Sequence, residues 1–115
     1  MNRKVNLLTV LGLILSLSVA AQEFTRADSL RGSITPQRAW WDVMRYDIEV
    51  QPDYDKQFTS GANQITYKVV QEKHPDVMQI DLQEPLVIDR ILFDDATELQ
   101  FKREGNVYWV NTLPQ

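Results

Sequence analysis

The stretch Ile34–Val50, ITPQRAWWDVMRYDIEV, changes its period halfway along. Thr35 followed by Pro36 is a helix start. Threonine is a good N-cap, and proline suits the first helical position, where its missing N–H has no intrahelical partner. The pattern predicts a short helix from Pro36 to about Asp42, with Trp40 and Trp41 on its last turn. A helix this short does not stand alone in water. It must dock through an apolar side chain, so at least one of the two tryptophans is a structural plug. From Val43 the period becomes two. Tyr46, Ile48 and Val50 point one way, and Arg45, Asp47 and Glu49 the other. That alternation is a half-buried strand.

The period of two persists downstream. Gln51–Ser60, with Pro52, Asp53 and Asp55, reads as a polar turn region with early strand at Phe58. Gly61–Val70 is a second strand, with Ile65, Tyr67 and Val69 in phase. Gln71–Asp76 (QEKHPD) is a loop. Val77–Leu82 is a third strand, with Met78, Ile80 and Leu82 on one face and Gln79 and Asp81 on the other. Glu84-Pro85 breaks it. Leu86–Phe93 reads as a fourth strand and Leu99–Arg103 as a fifth. Glu104-Gly105-Asn106 is a hairpin signal, and Val107–Asn111 (VYWVN) is a sixth strand. One strand per roughly 10–12 residues, with turn signals between, indicates an all-β sandwich or barrel. The fold class expected is all-β: a partial antiparallel β-sandwich of about six strands, with a short helix before the first. Leu113-Pro114-Gln115 follows the sixth strand directly, so the sandwich is expected to be a part of a larger one.

Upstream, Arg3 and Lys4 precede a mostly Leu, Val and Ile run, Val5–Leu17, and then the small residues Ser18-Val19-Ala20-Ala21. This is the pattern of a secretory signal peptide, residues 1–21. The apolar run of about 13 residues falls short of the ~20 that a bilayer span needs. The chain is therefore expected to be exported, to periplasm or exterior, with no stable membrane anchor after cleavage. Residues 22–34 contain few large apolar side chains and read as an extended N-terminal arm. Residues 35–115 are the β-domain. Removing Arg3 and Lys4 takes the formal charge from −4 to −6. An acidic chain lacks the basic footprint that nucleic acid or an anionic membrane requires. With no cysteine in an exported chain, stability must come from a core.

Candidate chemistry is sparse. His74 is the one histidine, and a zinc site needs three or four His, Cys or carboxylate ligands. No HExxH, GxSxG, P-loop or GxGxxG occurs. His74-Pro75-Asp76 matches the tripeptide of J-domain co-chaperones, but there it joins two helices in a basic setting; here it is a surface loop between strands. Asp53, Asp55, Asp94 and Asp95 lack the further ligands and the glycine of a calcium loop, and read as solvated turn carboxylates. Nothing places Asp81 and Glu84 across a cleft as a catalytic pair. Among the aromatics, Tyr46 and Tyr67 are in phase with core-facing aliphatics and are expected inside. One of Tyr108 and Trp109 faces in, the other out. No catalytic, cofactor-binding or metal residue is assigned.

Taken in order, FTRADSLRGSITPQRAWWDVMRYDIEVQPD, SGANQITYKVV, VMQIDLQEPLVIDRI and REGNVYWV resemble the start of bacterial aminopeptidase N-type zinc metallopeptidases, of the secreted variety found in Bacteroidetes-like bacteria. The likeness covers Phe24 to about Val110. It implies the β-rich, saddle-shaped N-terminal domain that opens that family, with YDIEV, the Gly-led strand and the IDL…PL.I pair as its recurring pieces. The family's GxMEN and HExxH segments, which carry substrate-amine binding and zinc, are not in this sequence. The resemblance thus implies a scaffold without catalytic activity of its own. It further implies that zinc would belong to a catalytic domain of the same polypeptide, that this domain would be the partner, and that peptides would be the substrate of the parent enzyme. The alternative is a stand-alone secreted β-sandwich module binding carbohydrate or protein through Trp40, Trp41 and Trp109. A third reading is an interaction protein that pairs through an open sheet edge.

Overall fold

The computed structural model describes residues 23–113; the expected signal peptide, 1–21, lies outside them. Two short helices, α1 (Arg26–Gly32) and α2 (Pro36–Ala39), precede seven strands. The strands are β1 (Trp41–Asp53), β2 (Phe58–Val69), β3 (Val77–Asp81), β4 (Leu92–Phe93), β5 (Thr97–Glu98), β6 (Phe101–Glu104) and β7 (Val107–Asn111). They form three antiparallel sheets, β1-β2, β3-β7-β6 and β4-β5. The all-β, antiparallel architecture with a short helix before the first strand is the expected one. No helix among the described residues is long and apolar enough to cross a membrane.

The arm is where the expectation fails first. Residues 26–32 are helical because Thr25 and Asp28 form a reciprocal capping box. The Thr25 hydroxyl accepts from the Asp28 N–H at 3.2 Å, and the Asp28 carboxylate accepts from the Thr25 N–H at 3.0 Å. Two of the free donors at the helix start are thereby bonded. Leu30, the one large apolar residue of α1, is buried. A single well-placed anchor suffices where a count of apolar residues suggests none.

The second helix is shorter than expected. It ends at Ala39, with Trp40 as C-cap. Trp41 already pairs with Val69 in the β1–β2 ladder, so cross-strand bonding takes it from the helix. Its indole N–H still reaches back to the Gln37 carbonyl at 3.2 Å.

The expected fourth strand, Leu86–Phe93, is paired only at Leu92–Phe93, against Thr97–Glu98. After the cis Glu84–Pro85 bond, the chain continues as a loop up to Ile91. Ile88 N–H donates to the Tyr108 hydroxyl at 3.1 Å, and Leu86 and Val87 are exposed. Alternation alone does not make a strand without a partner edge. In the β4–β5 turn, Asp94 and Asp95 both have positive φ, and Ala96 N–H bonds back to the Phe93 carbonyl; aspartate is one of the few residues that enters this region readily. The expected fifth strand starts later, at Phe101, and Leu99 is instead a core residue bonded through its N–H to the Ile91 carbonyl. The β6–β7 hairpin turns on Gly105-Asn106, with Gly105 at φ +59°.

The three-stranded sheet has two unlike faces. Its inner face presents Met78, Val110 and Phe101 in one row and Ile80, Tyr108 and Arg103 in the next. Met78 and Val110 join Trp40 and Leu99 in the core, flanked by Trp41, Tyr67, Ile80, Ile91 and Phe101. The other face carries the row Gln79, Trp109, Lys102, and α1 stands over it.

The β1–β2 ribbon leaves this body. Twelve residue pairs at ~3.3 Å per residue make it about 40 Å long. A β-bulge at Met44, between Val43 and Arg45, shifts the register by one residue. The shift matters, because period two alone would put Trp41 and Val43 on the opposite face from Tyr46, Ile48 and Val50. The extra residue brings all five to one face, beside Ile65, Tyr67 and Val69 of β2. Beyond the bulge the polar face carries Arg45, Asp47, Glu49, Gln64 and Thr66.

Candidate functional site

Two places concentrate structure that a function could use: the junction around Trp40 and Gln79, and the ribbon. At the junction, Trp40 is 2% exposed. Its indole N–H donates to the Val77 carbonyl at 3.2 Å. Its ring packs edge-on against Tyr67 at 6.0 Å and flat against His74 at 4.1 Å. It is a plug, as its place at the end of a short helix requires. His74, whose ring nitrogen Nδ1 lies 2.9 Å from the Pro75 carbonyl, lines the core's margin.

Gln79 sits on the strand face that the sequence marks as polar, yet it is 1% exposed. Its amide oxygen accepts from the Thr35 hydroxyl. Its amide nitrogen donates to the Leu30 carbonyl at 3.4 Å and to Asp81 Oδ1 at 3.2 Å. The side chain is therefore satisfied on both ends, as a buried amide must be. Thr35 is the N-cap residue by position, but its hydroxyl makes no cap bond; it is used by Gln79 instead. Arg38 completes the knot, donating to the Ser33 and Leu30 carbonyls and to Asp81. No sequence signal marks Gln79, because its burial depends on a helix that lies 49 residues away.

An open groove of about 570 Å³ runs beside α1, lined by Arg26, Pro36, Val77, Lys102, Glu104 and Trp109 among others. Its carboxylate is already engaged. Arg26 donates to both Glu104 oxygens, at 3.0 and 3.3 Å, and the Trp109 indole N–H donates to Oε2 at 2.9 Å. The Arg26 bond first, and the Trp109 bond next, hold the Glu104 carboxyl below its usual range. Tyr108 is buried on the inner face and Trp109 half-buried on the outer one, so the pair divides as expected. Arg103 lies over the Tyr108 ring, 5.1 Å from its centre, with Nε donating to the Gly105 carbonyl at 2.7 Å.

The carboxylates singled out in the sequence are not brought together. Asp53 accepts from the Lys56 N–H at 3.0 Å and pairs with its ammonium, closing the β1–β2 turn. These bonds, the backbone one foremost, lower its pKa. Asp94 and Asp95 are turn residues of β4–β5. Asp81 faces Arg38, while Glu84 lies 3.7 Å from Arg103. Among the described residues no group of three His, Cys or carboxylate side chains is placed to hold a metal ion.

On the ribbon, Tyr67 faces inward as expected, half-buried against the core, and burial raises its pKa, with Asp94 adding to the effect. Tyr46 is not. It is 53% exposed, and Ile48 and Val50 are 67% and 59% exposed. The ribbon has left the body at the bulge, and none of the described residues covers this face. Phe58 and Tyr54 at the tip are exposed as well. Gly61 answers a local need: a Cβ there would lie 2.1 Å from the Glu49 carbonyl oxygen across the ribbon. In comparisons with protein-family models, curated proteins and solved structures, nothing matches the chain.

Proposed function

We propose that the chain is a non-catalytic N-terminal β-domain piece of an exported zinc metalloaminopeptidase, a scaffold for the catalytic domain and one wall of its substrate cleft. The sequence likeness set out above motivates this reading. The observation that carries it is the ribbon's one-sided face. Tyr46, Ile48 and Val50 are apolar, aligned and exposed, whereas monomeric proteins rarely leave long apolar surfaces uncovered. A scaffold awaiting a larger body accounts for such a face. The YDIEV segment that supplies it is also one of the pieces on which the likeness rests.

The residues described do not fit a zinc site, with His74 as the single imidazole and no cysteine, so no step of peptide hydrolysis is assigned to this chain. Trp40 is buried, and Trp41 and Trp109 lie on different sheets, which leaves the carbohydrate-platform alternative without a supporting arrangement. The test is genomic and enzymatic together. Reading in frame beyond the Gln115 codon should reveal an HExxH-encoding continuation; a stop codon followed by unrelated sequence overturns the reading. The chain by itself, incubated with zinc and aminoacyl-nitroanilides, should show no turnover above blank.

A further inference from the structure

The ribbon's two free edges are not equivalent. β1 contains Pro52, which has no N–H to offer a neighbour, a bulge at Met44, and the charged residues Asp42, Arg45, Asp47, Glu49 and Asp53. Proline, bulges and charges are the means by which edges avoid pairing. β2 has none of these protections. Its twelve residues, FTSGANQITYKV, contain no proline and no bulge, and Lys68 is the only charge. Among the described residues nothing pairs with its outer edge.

We infer that β2 is a self-association edge, and that its occupant is β2 of a second copy, antiparallel and related by a two-fold axis. Charge selects this pairing. Two β1 edges brought together antiparallel would set one net-acidic strand against another, each with Asp42, Asp47, Glu49 and Asp53 against the single cation Arg45. Two β2 edges bring only Lys68, near one end of each strand, and in a pairing centred near Asn63 or Gln64 the two lysines stand at opposite ends. Isologous contact requires that kind of self-compatibility.

The rival arrangement, in which two ribbons stack face to face, would leave the outer backbone N–H and C=O groups of β2 without a partner strand. Edge pairing instead bonds the exposed backbone groups of β2 and joins two ribbons into a four-stranded sheet, β1-β2-β2-β1. The apolar residues of both copies then share one continuous face. The inference does not rest on the aminopeptidase reading and is tested without reference to peptidase activity.

The experiment is sedimentation velocity on the exported chain, expressed with its own leader, over a wide concentration range. A reversible dimer is expected. The double variant Gln64→Lys with Thr66→Lys, on the exposed polar face of β2, should weaken it at least tenfold, because lysines then oppose lysines across the two-fold. Ile48→Thr, on the apolar face of β1, should leave the dimer within about twofold. Since the chain has no cysteine, a spin label at Gln64→Cys gives a clean distance, expected to be shorter between copies than for a label at Glu49→Cys. A monomer at all concentrations overturns the inference. So does a dimer lost with Ile48→Thr but kept with the lysine pair, which would mean face stacking.

Discussion

The Trp40 indole lies flat on the His74 imidazole, with ring centres 4.1 Å apart and planes 10° from parallel. The contact joins the end of α2 to the loop that enters β3, and the Trp40 N–H bond to the Val77 carbonyl ties the same two segments. A helix of four residues is held in place by its C-cap residue rather than by its own hydrogen bonds.

Trp40→Ala should therefore be among the most damaging single changes. Removing a buried aromatic costs about 3–5 kcal/mol in lost transfer energy and cavity. Trp40→Phe keeps a ring for His74 and Tyr67 but leaves the Val77 carbonyl unbonded, at about 1–2 kcal/mol. Urea unfolding followed by circular dichroism orders the two variants; equal losses would show that the indole N–H contributes nothing.

Gln79→Leu is close in size but cannot bond Thr35, Leu30 or Asp81. It should cost about 1–3 kcal/mol, the range for leaving buried polar partners unsatisfied. The loss should appear first as faster amide exchange in α1 and α2, before the β3-β7-β6 ladder is affected. Uniform acceleration across the sheet would refute a local linking role.

Acid should release α1 from the sheet. Glu104 and Asp28 both have carboxyls held below their usual range, Glu104 chiefly by the Arg26 hydrogen bond and Asp28 chiefly by that of Thr25. A depressed carboxyl stabilises the fold above its unfolded pKa, and that contribution fades as pH falls through the folded value. The expected window thus opens near the ordinary carboxylate pKa, about 4, and extends below it. Asp28 is exposed and Glu104 partly so, so the effect should be modest and weakened by salt. Amide signals of residues 25–32, followed by NMR from pH 6 to 2, check it. Glu104→Gln should remove the part due to Arg26.

Gly61→Ala should disrupt the ribbon and spare the body. The added methyl would meet the Glu49 carbonyl oxygen at 2.1 Å, and strand must move away from strand. A local cost of about 1–3 kcal/mol is expected for such overpacking. The readout is exchange of the amides in residues 45–64, with the unfolding midpoint of the core little changed.

Much of this fold can be read along the chain. Thr35-Pro36 begins a helix, Gly105 turns a hairpin, and the period of two separates Tyr108 from Trp109, because each depends on backbone geometry over a few residues. The capping box of Thr25 and Asp28 is equally local; it is overlooked when apolar residues alone are counted. The bulge at Met44 is a different case. It is visible only as a change of phase between Trp41-Val43 and Tyr46-Ile48-Val50, and it is fixed by pairing with β2.

The sequence by itself determined the periods, the β6–β7 turn and, away from the bulge at Met44, which side chains share a face of each strand. Only the tertiary structure decided which faces are covered. Gln79, on a polar face, is buried because α1 lies across it; Tyr46, on an apolar face, is exposed because the ribbon has passed the last element that could cover it. Alternation is a property of one strand, whereas burial belongs to a pair of elements, and the partner of each face is set by contacts between residues distant in the chain.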